Sequence, residues 1–194
     1  MPARIKIQNY HIPIPDNGIN IKINTLSYMG KSELHPIGIE NCQLYNGMVS
    51  KNMHNAWHYS QVYENTIDEN GEPSTKYFEW ALNGWNQTKF GKPQNSKVKY
   101  HYWGGKKIDV ISARKQIYTP IYIKNIIKTQ SFKQLQELYS IDDYNLYFVG
   151  LDVYLENEQF TLTQLINNTT IPWSHLYCLK MLLTKDDVIK QIKL

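Results

Sequence analysis

The sequence predicts an α+β fold: one helix-dominated domain with an N-terminal β-hairpin and a small sheet. Three observations carry this. Ile5 and Ile7, then Ile19, Ile21 and Ile23, alternate at the period of a strand. From residue 50 onward, apolar residues recur at helical spacing in several separate stretches. Within 194 residues there is no internal repeat, low-complexity segment or linker, so residues 1–194 read as one domain. Its first part, 1–49, is rich in strand and loop, and 50–194 is mainly helical.

Residues 4–24 read as two strands. Pro13 and Pro15 confine the segment between them to edge or loop, and Asp16-Asn17-Gly18 is a turn signal, so a hairpin is expected. Residues 25–49 read as loop with one or two short strands and a tight turn at Asn46-Gly47. Ser50–Glu64 is a helix candidate capped by Ser50, with Met53, Ala56, Trp57, Ser60 and Tyr63 on one stripe and His54, His58 and Gln61 on another. Two histidines at i and i+4 have zinc-ligand spacing, but Asn-Ala-Trp follows His54 where H-E-x-x-H has glutamate, so a polar helix face is the expectation and no metal is assigned. Ser74–Trp85 is a third helical stretch, with Gly84 as its C-terminal cap. Residues 86–107 form a basic, aromatic loop in which six lysines alternate with Phe90, Tyr100, Tyr102 and Trp103. Such a loop could grip nucleic acid, or simply be solvated. Ser131 caps a short helix, and Asn145–Leu151 is a buried strand ending at Asp152. Thr161 and Ser174 cap the last helices.

The stretch from Ile108 to Ile127 is the longest organised segment. Arg114 falls on the apolar stripe of Ile111, Tyr118 and Ile121. A buried guanidinium is costly unless hydrogen-bonded, so it must meet a carboxylate, a cluster of carbonyls or an anionic ligand. It is either an internal structural group or the wall of a phosphate- or carboxylate-binding pocket. Pro120 predicts a kink or break, with a second helix starting from Thr119.

Composition bounds the function loosely. The net charge of +4 permits an anionic partner without requiring one. Fifteen tyrosines and five tryptophans supply faces for core packing or for stacking on bases. No apolar run spans a membrane and the N-terminus lacks a signal sequence, so a cytoplasmic protein with Cys42 and Cys178 as free thiols is expected. P-loop, Rossmann, zinc-deaminase and G-x-S-x-G motifs are all absent.

Three strings, NAWHYSQVY (55–63), EWALNGW (79–85) and ARKQIY (113–118), resemble a family of phage and bacterial proteins. In the order of its elements the chain is remotely similar to the NADAR/YbiA superfamily of N-glycosidases. The resemblance implies a NADAR/YbiA-like fold. It also implies hydrolysis or transfer at an N-glycosidic bond of a nucleotide, an ADP-ribosyl adduct or a modified nucleobase, without cofactor or metal. The catalytic candidates it implies are Asp152, Asn55 and Glu79. Asn55 stands where the superfamily has glutamate, and asparagine cannot act as a general base. The implied substrate-binding set is Arg114 on a phosphate, with Trp103, Trp57, Tyr59 and Tyr118 along the ligand. The alternative is a non-catalytic, phage-type protein that binds a nucleotide or holds nucleic acid through 86–107.

Overall fold

The computed structural model describes residues 4–16, 18–25, 32–88, 95–141, 144–151, 153 and 160–192. The fold is mixed α+β, with small sheets set among the helices.

The N-terminal hairpin does not form. Strands β1 (Arg4–Asn9) and β2 (Ile19–Asn24) flank β8 (Tyr144–Gly150), and both run parallel to it. The reason lies in β8. Its sequence YNLYFVG is apolar without alternation, and Leu146 to Gly150 are buried, as befits a central strand with a partner on each side. Residues 10–18, held open by two prolines, carry the chain back and across one strand. That path is roughly 20 Å, and nine residues reach ~30 Å. Helix α7 (His175–Thr184) lies against β1 and β8.

Strands β3 (Glu40–Gln43) and β4 (Val49–Asn52) do form a hairpin. It turns at Tyr45–Gly47, where Gly47 takes φ of 75°, as the Asn-Gly signal predicts. Ser50 lies inside β4, so it cannot cap the next helix. Asn52 does, accepting from the Asn55 amide at 2.8 Å. Helix α1 is only Met53–His58, shorter than the periodicity predicts. Ser60 ends it by donating its hydroxyl to the Trp57 carbonyl. The Tyr102 amide then bonds the Ser60 carbonyl and draws the chain into β5 (Gln61–Tyr63).

Helix α2 (Thr75–Trp85) occupies its predicted range, but Gly84 is inside it and not a cap. A Cβ there would lie 1.9 Å from the Tyr59 ring, so the glycine exists for close packing of α2 on Tyr59. Half of the predicted basic loop is a hairpin. Strands β6 (Val98–Trp103) and β7 (Lys106–Ile108) turn at Gly104-Gly105, both at positive φ, and β5 completes the sheet.

The segment 110–126 is one helical run with three parts: α3 (Val110–Ala113), a π-helical turn (Arg114–Tyr118) and α4 (Thr119–Ile126). The chain does not break at Thr119, but a regular helix, α4, does begin there with Pro120 in its first turn, as predicted. Thr119 is helical and its amide bonds the Arg114 carbonyl five residues back, so the wider turn accommodates Pro120 where a regular helix would clash. Six of the eight α4 residues are buried, and α4 packs against α7. Thr129, not Ser131, caps α5 (Gln130–Ser140), accepting from the Phe132 amide at 3.2 Å. Thr161 and Gln164 form a capping box on α6 (Leu162–Ile166), and Ser174 caps α7. One core cluster joins residues from Ile7 to Ile192. No described helix is long and apolar enough to cross a membrane.

Candidate functional site

The principal cavity lies beyond the carboxyl ends of β1 and β8, the usual place for a ligand on a parallel sheet. Its volume is about 740 Å³. Tyr10 and His11 come from the end of β1, and Gly150 and Leu151 from the end of β8. His54, Trp57 and His58 come from α1, Tyr118 from the π turn, and Trp173 to His175 from the start of α7. His35 is presented by the 32–39 segment, which is anchored by the Tyr122 hydroxyl donating to the Leu34 carbonyl at 2.7 Å.

Two aromatic walls face this space. The Trp57 ring lies on His101 with centroids 4.4 Å apart and meets the Tyr118 edge at 5.3 Å. Ser60 donates its one hydroxyl proton to Trp57, so the 2.9 Å contact with His101 makes His101 Nδ1 the donor there. Trp173 stacks on Tyr177 and donates its indole N–H to Thr119 Oγ1 at 2.9 Å. Both indoles are therefore held in place before any ligand arrives.

Five of the chain's six histidines line the cavity, and the sixth is His101, behind Trp57. His54 and His58 have ring centroids 4.2 Å apart; for His35 and His175 the separation is 5.0 Å. His175 Nε2 is 2.8 Å from Thr25 Oγ1, and His35 Nδ1 accepts the Ile37 amide. Burial, then the neighbouring His58 and His35, lowers His54 to about 4. Burial also lowers His58, and burial with His35 holds His175 well below the usual range. Burial, followed by His58 and Arg114, lowers His101 to about 3. At neutral pH these imidazoles are uncharged. The lining contains no carboxylate, lysine or arginine among the described residues. No group of three metal-ligating side chains occurs among them either.

The structure distributes the sequence-predicted site residues. Trp57 and Tyr118 line the cavity. Arg114 does not. It is 4% exposed, and its guanidinium donates to the carbonyls of Leu165, Ile166, Asn168 and Ile171 at 3.2, 3.2, 2.6 and 2.7 Å. It closes the carboxyl end of α6, whose last carbonyls have no helical partner. Asn55 is fully buried and ties α1 to the Gly84 and Gln87 carbonyls. Tyr59 packs on Trp80 and Trp103 on Tyr45, while Glu79 is exposed on α2. Asp152 lies outside the described residues. Its neighbours are fixed by Asn9, whose amide donates to the Leu151 and Val153 carbonyls, each at 3.0 Å.

Sequence reasoning missed Tyr10, His11, His35, Trp173 and His175. They come from three distant parts of the chain, 10–11, 35 and 173–175, which meet only in the fold: the Tyr10 amide bonds the Gly150 carbonyl, and the His35 ring meets His175. In the 86–107 region, Lys99 pairs with Glu64 at 2.9 Å and Lys107 with Glu72 at 2.6 Å, so two of its lysines already face acids. No family model matches the chain, and neither a curated protein nor a solved structure matches it.

Proposed function

We propose that the protein binds a small molecule with a flat heterocyclic end, of the nucleobase or nicotinamide kind, in the cavity beyond β1 and β8. The observation that carries this reading is the pairing of two fixed indoles, Trp57 and Trp173, with five imidazoles around about 740 Å³. Indole faces supply stacking worth ~1–3 kcal/mol per base. Burial keeps His54, His58 and His175 uncharged at neutral pH, and a neutral imidazole carries one donor and one acceptor, the inventory that reads a heterocycle's edge. A pyrophosphate is a poorer fit at neutral pH, because Arg114 is engaged elsewhere and no described lining residue carries a fixed positive charge.

A thermal-shift screen with adenosine, nicotinamide riboside, NAD and ADP-ribose tests the reading. Stabilisation by at least one, lost in Trp57→Ala and kept in Trp103→Ala, is the expected outcome. Loss in Trp103→Ala with retention in Trp57→Ala would move the site away from this cavity.

The catalytic reading, an N-glycosidase as the NADAR/YbiA resemblance implies, has one supporting observation. Gly150 and Leu151, which precede Asp152 in the sequence, line the cavity, and the Asn9 amide holds the Leu151 and Val153 carbonyls. In that reaction water adds to the anomeric carbon as its bond to the base nitrogen breaks. Asp152 takes the water's proton and hands it to the departing base nitrogen. The carboxylate also steadies the oxocarbenium-like charge. If it holds, Asp152→Asn binds the nucleoside but no longer releases free base, as chromatography of the products would show. Unchanged release would remove Asp152 from the mechanism.

A further inference from the structure

Five histidines line the cavity, and none of its described lining residues carries a fixed charge. Resting on the ligand reading above, we infer that the cavity takes a heterocycle bearing an oxyanion, and that the anion enters together with one proton shared among His54, His58 and His175.

Three observations carry this. First, every titratable group on the described lining is a histidine or a tyrosine, so among the described residues an anion inside is neutralised by protonating an imidazole. Second, the His58 Nδ1 is buried with no hydrogen-bond partner among the described residues. A buried nitrogen in that state is waiting for a proton or a ligand atom. Third, the rings lie in two close pairs on the same lining: His54 with His58 on α1 at 4.2 Å, and His35 with His175 at 5.0 Å. His35 is the least suited to take up a proton, because its Nδ1 already accepts the Ile37 amide. The amino end of α7 adds its partial positive charge to the same wall.

The groups that act on these imidazoles from neighbouring elements are few. His54 feels His58 and His35, His58 has Gln61 beside it, and His175 feels His35. His101, with Arg114 and Asp109 acting on it, stands behind Trp57. Across the cavity are Tyr10 and Tyr118, and Tyr122 stands near His175. Among the described residues, none of the groups that shift His54, His58 or His175 is a carboxylate that would compete with the anion.

The sign of the linkage follows. In the empty cavity His54 protonates only near pH 4, so it is neutral at pH 7. A bound anion favours the imidazolium and raises that value. A proton is therefore taken up on binding, and affinity rises as pH falls. The slope is about tenfold per pH unit for each proton gained, until the empty-state value is reached.

Nicotinate and nicotinamide make a matched pair of probes, differing in carboxylate against amide. Calorimetry at pH 8, 7 and 6, in two buffers of different ionisation enthalpy, reads affinity and proton uptake together. The expected result is nicotinate binding that tightens about tenfold per pH unit with about one proton gained. The dependence flattens in His54→Gln/His58→Gln, whose fold is checked by its melting temperature at pH 8. Nicotinamide should show no such dependence. Nicotinamide binding as well as nicotinate at every pH, with no proton uptake, would overturn the anion inference and leave the heterocycle reading standing. Failure of both probes, of sulfate to raise the imidazole titrations in NMR spectra, and of every compound in the thermal-shift screen would remove both.

Discussion

Arg114 shows how far a single residue can be read. Its position on an apolar stripe says that it is buried, and burial says that its donors must be met. Which partners meet them is beyond local pattern, because the four carbonyls belong to residues 165–171, some fifty positions on. The result is a guanidinium that fastens the π turn to the end of α6. Arg114→Leu leaves those carbonyls buried with no donor, a loss of about 3–5 kcal/mol if they stay unmet. Arg114→Lys recovers only part, since one ammonium cannot span the spread of carbonyls that a planar fork reaches. Denaturant midpoints of the two variants check this. A loss below about 1 kcal/mol for the leucine variant would mean that water replaces the arginine without penalty. Asn55 teaches the same lesson on a smaller scale: a polar residue in a helix that resembled a catalytic segment turns out to be tying two elements together.

At the scale of elements, periodicity located α2, α5 and α6, because each buries one face against the core, while α7, buried nearly all round, was marked by its Ser174 cap and apolar run. It overran α1, where hydrogen bonding by Ser60 to Trp57 and Tyr102 overrides an apolar stripe that continues to Tyr63. It also paired β1 with β2, because alternation says that a strand exists and nothing about its neighbour; the partner both strands needed, β8, pairs Arg4 with Asn145 and Ile19 with Tyr144, far along the chain. The π turn left only an indirect trace, a proline where a helix should continue. Packing between elements is equally silent in sequence. Gly84 read as a cap, yet it is the contact point of α2 with Tyr59. Gly84→Ala should cost about 3 kcal/mol through overpacking, although alanine favours a helix. Combining it with Tyr59→Leu should cost less than the two singles added, because the ring is what the methyl strikes. Thermal melts of the three variants measure that coupling, and strict additivity would mean that Tyr59 is not the obstacle.

For the whole molecule, the same arrangement that forms the cavity sets the acid response. Four histidines from α1, β6 and α7 are held below their ordinary value of about 6.5, chiefly by burial: His54 to about 4, His101 to about 3, and His58 and His175 in the same direction. The unfolded chain therefore binds protons that the folded chain refuses. Their contribution is fully present above about pH 6.5 and is lost as pH falls toward 4. The depressed carboxylates act lower down. Asp109, held by the Ser112 amide and hydroxyl, and Glu33, held by Ser131, lose their contribution only as pH falls below the ordinary carboxylate range. Two windows result, and the upper one belongs to the histidines. Urea midpoints should be level from pH 8 to 7 and fall steadily from 6.5 to 5, with a flatter fall in His101→Asn. A curve that stays level down to pH 5 would mean that the imidazoles reach solvent when they charge. An oxyanion in the cavity reverses part of this dependence, because a proton that destabilises the empty protein is the one that holds the anion. Repeating the pH 6 midpoint with saturating nicotinate should then recover stability that nicotinamide at the same concentration does not.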